Sequence, residues 1–238
     1  MMRRFSYDLH THSVYSDGTG TPMENVMAAE EKGLELVAIT DHGPASPEGL
    51  TEGSFRRLLA EVKEAERMCS VRALAGVEAN IVSPDGGLDV TPAMLEEADV
   101  VLAGVHHPHL IAPGAASVEE LKAAVVRATI ECMESGEADV IAHPVWILEE
   151  LRCHVTVEEA REIAETAADT GTALELNVRH LPRDFTLYQI AVQVGAPITV
   201  GSDAHSPWEV GEFKPVSKVL RRVGLTPEDV DPRALGLI

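Results

Sequence analysis

Seven short apolar runs alternate with segments of helical periodicity, and this alternation restricts the fold more than any other feature of the chain. Runs rich in Val, Ile, Leu and Ala are typical of strands buried on both faces. Strands that alternate with helices form parallel βα units. The pattern predicts an α/β protein, and both an open doubly wound sheet and a closed barrel fit it. The predicted strands are residues 5–9, 36–40, 72–78, 100–106, 140–143, 173–177 and 198–202.

Helix start signals lie between these strands. In three places a Ser or Thr precedes a Glu by three residues, which is the spacing of a capping box. A further helix is predicted over residues 54–68, and "SPDGG" at 83–87 predicts a hairpin or loop excursion. No repeat or linker divides the chain, so we predict a single domain over residues 1–238. The three pairs are Thr21 with Glu24, Ser117 with Glu120 and Thr156 with Glu159.

The stretch "DLHTHSVYSDG", residues 8–18, places two histidines one residue apart at the end of the first strand. In a strand His10 and His12 point to the same face, about 6.6 to 6.8 Å apart along the chain. Neutral imidazole is the commonest metal ligand, so one cation could contact both. A single histidine in an apolar stretch is more often a hydrogen-bonded core residue, and for this motif alone the two interpretations are evenly balanced.

The other predicted strands also end in acids and histidines. All of these residues follow carboxyl ends of strands, where the βα loops of barrels and open α/β sheets converge to build active sites. Together they predict a metal site. His154 is interpreted as an ordinary loop residue, and Asp8 and Asp41 as carboxylates that orient ligating imidazoles, with pairing to an arginine as their alternative role. By strand, the residues are His10, His12 and Asp17; Asp41 and His42; Glu78; His106, His107 and His109; His143; Asn177, Arg179 and His180; and Asp203 and His205.

The chain is strongly acidic, because 39 Asp and Glu residues against 19 Lys and Arg give a formal net charge of −20. Without a basic surface to follow a phosphate backbone, stable nucleic-acid binding is not expected. Three cysteines without a CxxC pair indicate a reduced intracellular protein, and none is a predicted metal ligand. No run resembles a signal peptide or a membrane span, so we predict a cytoplasmic location without membrane association. The oligomeric state cannot be read from these features.

With "DLHTHSVYSDG", "ITDHG", "GVEAN", "GVHHP", "IAHP" and "GSDAH" in this order, the chain resembles the PHP (polymerase and histidinol phosphatase) superfamily of metal-dependent phosphoesterases. The resemblance covers residues 5–214 and is closest to the YcdX-like single-domain phosphatases. It implies a distorted, TIM-like (β/α)7 barrel, in agreement with the seven predicted strands, and a cofactor of three divalent metal ions, zinc, manganese or iron. The family's "HE" at the fourth strand is "HH" here, which leaves the role of His107 open, as it does those of His109 and His180.

The resemblance also implies which residues hold each metal, with Glu78 bridging the first and the second. The position of Asp17 is often a histidine in close relatives. A carboxylate is a harder ligand, and it favours manganese, iron or magnesium over zinc at that site. By metal, the implied ligands are His10, His12, Glu78 and Asp203; Glu78, His106 and His143; and Asp17, His42 and His205.

Such a centre predicts hydrolysis of a small phosphorylated substrate, a phosphate monoester. Two close metals lower the pKa of a bridging water and supply hydroxide as the nucleophile. Arg179 would hold the non-reacting phosphate oxygens with its planar guanidinium, and a surface ion pair is its alternative role. Asp203, His205 or a water would protonate the leaving group. The predicted catalytic residues are Glu78, Asp203, His205 and Arg179.

Three other functions fit part of the pattern. One is a phosphodiesterase or exonuclease acting on nucleotides, although the acidic charge argues against a long nucleic acid. Another is an amidohydrolase, which also begins with HxH in a barrel, although the bridging position here falls on Glu78 at the third strand. The last is a non-catalytic metal-binding domain. The presence of suitable residues at all nine ligand positions argues against it.

Overall fold

The computed structural model describes residues 5–231, which form seven parallel strands surrounded by helices. Each strand pairs with the next along the chain, as in Tyr7 opposite Leu36 and Val140 opposite Ala173. Parallel pairing of consecutive strands requires a crossover connection. The strands are β1 (Tyr7–Asp8), β2 (Leu36–Ile39), β3 (Arg72–Asn80), β4 (Val100–Gly104), β5 (Val140–Ile141), β6 (Ala173–Asn177) and β7 (Ile198–Gly201).

The sheet closes almost completely between its first and last strands. Just beyond them, Thr11 and Ala204 form a parallel bridge. The His12 N–H donates to the Ala204 carbonyl at 2.8 Å, and the Asp203 N–H donates to the His10 carbonyl at 2.9 Å. The predicted fold class, a distorted (β/α)7 barrel, is therefore confirmed.

The helices are α1 (Pro22–Lys32), α2 (Glu52–Met68), α3 (Pro92–Glu97), α4 (Pro108–Ile111), α5 (Val118–Ser135), α6 (Trp146–Glu150), α7 (Val157–Thr170), α8 (Thr186–Val194) and α9 (Lys214–Val223), with a 3₁₀ turn at Pro207–Glu209. Thr21 and Thr156 begin α1 and α7 with complete capping boxes, as predicted. Ser117 caps α5 by accepting from the Glu120 N–H. Helix α2 starts two residues earlier than predicted, because Thr51 caps it.

Several strand ends differ from their predicted limits, and the differences lie near the candidate ligands. Strands β4 and β5 end two residues early, because the backbone leaves the sheet before His106 and His143. His143 has a φ of 31°, which is not a strand conformation. Of the two predictions for residues 83–87, a hairpin or a loop excursion, the structure has a small hairpin, closed by an antiparallel bridge between Ile81 and Leu88.

Two apolar clusters hold the helices on the barrel. One packs α5, α7, α8 and α9 against β4 to β7 through residues such as Val125, Ile163 and Leu187. The other packs α1 and α2 against β2 and β3, with Val26 and Leu58 fully buried. This packing fixes the strands and leaves the loops at their carboxyl ends to build a site. Within residues 5–231, every helix is too short or too polar to cross a membrane.

Candidate metal centre

The strands bring all nine predicted ligands together at one end of the barrel, and every strand except β6 contributes at least one. The ligand atoms form three groups, and the atoms within each group lie within 4.8 Å of one another. His143 and Asp203 join these groups by contacting Glu78 and His12. The groups are His12, Asp17, His42 and His205; His10, His12 and Glu78; and His42, Glu78 and His106.

Glu78 occupies the middle of this cluster. Its side chain is 1 % exposed, and its two oxygens face different imidazoles. A carboxylate placed in this way can bind two cations at once. Oε1 lies 2.8 Å from His143 Nε2, 3.3 Å from His106 Nε2 and 3.4 Å from His10 Nε2, while Oε2 lies 2.7 Å from His42 Nδ1 and 3.6 Å from His12 Nε2.

Asp17 forms the outer side of the cluster and is partly exposed. Its Oδ2 lies 3.1 Å from His205 Nε2 and 3.7 Å from His42 Nε2, and its Oδ1 lies 3.9 Å from His12 Nδ1. The Asp203 carbonyl lies 3.0 Å from His205 Nδ1 and accepts its proton. A carbonyl oxygen can only accept, so Nδ1 carries a proton and Nε2 is the ring nitrogen that faces the Asp17 carboxylate.

Two of the candidate ligands have a backbone conformation that residues other than glycine seldom adopt. Asp203 has a φ of 56° and His143 a φ of 31°. Such a backbone conformation costs about 1 to 3 kcal/mol per residue, and residues that adopt it cluster at functional sites. The conformation of Asp203 places its Oδ1 3.3 Å from His12 Nε2.

The donor atoms fit a cluster of divalent cations. Nε2 of His10 lies 3.1 Å from Nε2 of His12, so two ring nitrogens point at one another. Within the described part of the chain, His12 Nδ1 and Glu78 Oε2 are buried polar atoms that make no hydrogen bond of good geometry, although Glu78 Oε2 lies 2.7 Å from His42 Nδ1. Buried polar atoms are ordinarily satisfied. Imidazole nitrogens and carboxylate oxygens that converge in this way can be satisfied by bound metal ions.

Electrostatics keep the central carboxylates ionised. Burial alone would raise the pKa of Glu78, but the imidazoles of His10, His106 and His42 outweigh burial and hold its pKa well below the usual range. Burial alone would also raise the pKa of Asp203, but His10 and His12 outweigh burial and hold that pKa well below the usual range. Metal binding requires deprotonated ligands, so both carboxylates are in the form that binds.

Two side chains that the sequence analysis did not single out orient the imidazoles. Asn80 Oδ1 accepts from Nδ1 of His106 at 2.8 Å, and Glu175 Oε1 accepts from Nδ1 of His10 at 2.8 Å. Such contacts fix the tautomer and turn Nε2 toward the centre. Each of the two lies two residues along its strand from a residue that was singled out, and this shared strand face was the available signal.

The prediction that Asp8 and Asp41 orient imidazoles is wrong. Asp8 accepts from the backbone N–H groups of Ser202 at 3.0 Å and Gly211 at 2.8 Å, and so ties β1 to the segments around β7. Asp41 accepts from the N–H of Ser13 at 2.8 Å. Buried backbone N–H groups need an acceptor, and these two carboxylates supply it.

Arg179 lies at the edge of the cluster. Its Nε donates to the Asp203 carbonyl at 2.9 Å, and its Nη2 lies 3.2 Å from both oxygens of Glu209. The Glu209 carboxylate also accepts from the N–H of His205 at 3.0 Å. Arg179 therefore lies beside the candidate ligand Asp203. It also makes an ion pair with Glu209, which is the alternative role predicted for it.

The remaining histidines differ in their distance from the cluster. His180 Nε2 lies 3.5 Å from Asp203 Oδ2, and burial, reinforced by His143, lowers the pKa of His180 to about 4. His107 lines a cleft beside the cluster. His109, in α4, and His154, in the loop before α7, are exposed.

The chain matches the models of two known families. A family model described as "PHP domain" matches residues 8–179, and one described as "PHP-associated" matches residues 188–215. The chain belongs to the PHP family. The predicted family and its enzyme class, the metal-dependent phosphoesterases, are therefore confirmed.

Individual relatives of this PHP protein are similar over most of their length. It is 33% identical to a probable phosphatase of Edwardsiella ictaluri, with 95% of this chain and 89% of the relative covered. It is 31% identical to the probable phosphatase YcdX of Escherichia coli, with 97% and 92% covered. A histidinol phosphate phosphatase from Lactococcus lactis has the same fold, with a TM-score of 0.65 at 20% identity over 94% of this chain and 95% of that one.

Proposed function

We propose that this PHP protein hydrolyses small phosphate monoesters at a centre of three divalent metal ions. The observation that carries the proposal is the position of Glu78 between two sets of nitrogens. Its Oε1 lies 2.8 Å from Nε2 of His143, in the second ligand set, and its Oε2 lies 3.6 Å from Nε2 of His12, in the first. A carboxylate that binds two cations holds them close together, as the two-metal hydrolysis of phosphate esters requires.

Three ligand sets share the nine residues. The grouping of ligand atoms within 4.8 Å supports each set in part, because it contains the whole third set and most of the first and second. His42 also groups with Glu78 and His106, so its ring lies between the second and third ligand sets. The sets are His10, His12, Glu78 and Asp203; Glu78, His106 and His143; and Asp17, His42 and His205.

Divalent ions bound there would supply positive charge to the phosphoryl oxygens and would acidify a water nucleophile. The chain itself holds the ligands ready for them. Glu175 orients His10 and Asn80 orients His106, while neighbouring imidazoles keep Glu78 ionised. The mixed nitrogen and oxygen donors suit zinc, manganese and iron(II).

Charge at the centre explains how so acidic a protein would attract an anion. Three divalent cations outweigh the ligating carboxylates Asp17, Glu78 and Asp203. Arg179 adds a planar cation at the edge, and its Nη2 could exchange Glu209 for a phosphate oxygen. Asp203 and His205 are the side chains proposed to protonate the leaving group; Asp203 is ionised and would first have to take up a proton, so His205 is the preferred candidate.

The cleft beside the cluster favours a small substrate. Its volume is about 320 Å³, which lies within the range of small-molecule sites. Neither lysine nor arginine is among its described lining residues, so it offers no basic track for a polynucleotide. The lining residues are Asp17, His42, Ser46, Pro47, Glu48, His106 and His107.

The names of related proteins point the same way. The curated relatives from Edwardsiella and Escherichia are named probable phosphatases. The Lactococcus structure is described as a complex with zinc, L-histidinol and phosphate. We therefore propose histidinol phosphate as the first metabolite to assay.

The test combines elemental analysis with a pair of chromogenic substrates. Protein loaded with Mn²⁺ or Zn²⁺ is expected to retain about three metal ions per chain and to hydrolyse p-nitrophenyl phosphate faster than bis(p-nitrophenyl) phosphate. A preference for the diester would support the phosphodiesterase alternative. Metal binding without turnover of either compound, or of a panel of metabolite monoesters, would support a non-catalytic domain.

A further inference from the structure

Glu175 is a buried acid in β6 that belongs to no ligand set, and its side chain is 2 % exposed. Its carboxylate accepts hydrogen bonds from three segments. Oε1 lies 2.8 Å from His10 Nδ1, and Oε2 accepts from the His143 N–H at 2.9 Å and from Asn177 Nδ2 at 2.9 Å. Within residues 5–231, the basic side chain that contacts this carboxylate is the imidazole of His10.

We propose that Glu175 is a positioning residue that selects the tautomer of His10 and so prepares the metal centre. This role rests on the proposed metal centre. An ionised carboxylate can only accept a hydrogen bond, so the facing Nδ1 of His10 must carry the proton. In the neutral ring Nε2 is then the unprotonated nitrogen, 3.1 Å from His12 Nε2 and 3.4 Å from Glu78 Oε1. In that form His10 can bind a cation through Nε2.

The same network restrains both ligands that have a positive φ. The N–H of His143, whose φ is 31°, donates directly to Glu175. Asn177 Nδ2 contacts both Glu175 and Asp203 Oδ2, the latter at 3.2 Å. Since β6 supplies no metal ligand of its own, it contributes to the centre by fixing ligands that come from its neighbours and from β1.

Close packing leaves the carboxylate in one position. A Cβ atom added at Gly201 would overlap Glu175 Oε1 and would lie 2.5 Å from the Cβ of His10. From the other direction, the Tyr188 hydroxyl donates to the backbone carbonyl of Glu175 at 2.6 Å. Both the backbone and the side chain of Glu175 are therefore fixed before any metal binds.

The variant Glu175→Gln changes the hydrogen bonding with little change in shape. An amide has one acceptor oxygen and one donor group. If its oxygen accepts from His143 and Asn177, its NH₂ faces Nδ1 of His10, which favours the tautomer with the proton on Nε2. That tautomer cannot bind a cation through Nε2. We expect metal affinity roughly 10- to 100-fold weaker than in the wild type, measured by competition with a chelator.

The ¹⁵N spectrum of histidine-labelled, metal-free protein provides the second readout. With the His10 signal assigned from a His10→Gln variant, and the spectrum recorded at a pH at which the His10 ring is neutral, the proton is expected on Nδ1 in the wild type and on Nε2 in Glu175→Gln. A loss of packing alone would not move it from one nitrogen to the other. The matched control is Asp139→Asn, because Asp139 also accepts a backbone N–H, from Val101 at 2.8 Å, but does so at the amino end of β5. Its metal affinity should equal that of the wild type.

The outcomes separate this role from the proposed function. A His10 proton on Nε2 in the wild type would overturn the role of Glu175, even if Glu175→Gln does not fold. Unchanged affinity together with an unchanged tautomer in the variant would also overturn it, while the metal centre would stand. A wild-type protein that binds no divalent metal would overturn the proposed centre and this role with it.

Discussion

The Nε2 atoms of His10 and His12 face one another at 3.1 Å, and both side chains are fully buried. One proton at most fits between two such nitrogens, and Nδ1 of His10 is already engaged by Glu175. A cation that contacts both rings would use the lone pairs that otherwise repel one another. The HxH motif at the start of the chain thus has a geometry that suits a metal ion better than a hydrogen bond.

Replacing the central carboxylate should affect more than one metal. Glu78→Gln is expected to abolish hydrolysis of p-nitrophenyl phosphate and to lower the metal content by more than one ion per chain, because Glu78 faces both the His143 and the His42 sides of the cluster. Elemental analysis and steady-state rates measure the two effects. Glu64→Gln, which changes an exposed carboxylate of α2 outside the cleft, is the control and should change neither. A fully metallated and active Glu78→Gln protein would show that Glu78 does not bridge two metal ions.

Arg179 is expected to act on substrate binding. Arg179→Ala should raise KM for a monoester by roughly tenfold, or about 1.4 kcal/mol, while the metal content stays constant, because the guanidinium is not a ligand. Arg183→Ala is the matched control, since Arg183 is more exposed and its ion pair with Glu149 is long, at 3.9 Å. Unchanged kinetics would leave Arg179 with the Glu209 ion pair alone, and a loss of metal would indicate that its bond to the Asp203 carbonyl supports a ligand.

The ligand candidates could be predicted because parallel strands all present their carboxyl ends to one side. His42, Glu78 and His143 lie far apart in the sequence, yet each directly follows or ends an apolar run. A residue in such a position reaches the site whichever crossover precedes it. The strand limits were less accurate where the site itself distorts the backbone, as at His143.

Glu175 and Asp8 show why the remainder could not be predicted. Strand alternation places Glu175, in the apolar stretch "ALELN", on the same face as Asn177, but its partner His10 is determined only when the barrel closes. Asp8 precedes a ligand in the sequence but satisfies the backbone N–H groups of Ser202 and Gly211. Closure and hydrogen-bond demand are properties of the assembled barrel, and the local pattern does not contain them.

The closeness of β7 to Glu175 predicts that Gly201 tolerates no side chain. Gly201→Ala would place a methyl group against Glu175 Oε1 and the Cβ of His10, and overpacking of this kind costs about 1 to 3 kcal/mol. Chemical denaturation of the metal-free protein measures the loss in the free energy of unfolding. Gly114→Ala serves as the control, because a Cβ there meets nothing within 4 Å. Equal stability of the two variants would show that the barrel adjusts at this point.

Asp17 is expected to set the metal preference at the outer side of the cluster. It offers carboxylate oxygens to a position that it shares with the imidazoles of His42 and His205, at 3.7 and 3.1 Å from Oδ2. Exchanging a hard oxygen donor for nitrogen in Asp17→His should shift the preference from Mn²⁺ toward Zn²⁺. The measurement is the ratio of the Kd values of the two ions for metal-free protein, with a shift of roughly tenfold expected, or about 1.4 kcal/mol.

Asp17→Asn separates the effect of charge from that of donor type, because it keeps an oxygen and removes the negative charge. It should weaken the binding of both ions and leave their ratio close to that of the wild type, since the donor atom is unchanged. If Asp17→His and Asp17→Asn alter the ratio equally, the charge of Asp17 controls the preference and donor hardness does not. If neither variant changes any Kd, Asp17 is not a ligand, and the outer metal would have to be held by His42 and His205 with help from His12, whose Nδ1 lies on this side, 3.9 Å from Asp17 Oδ1.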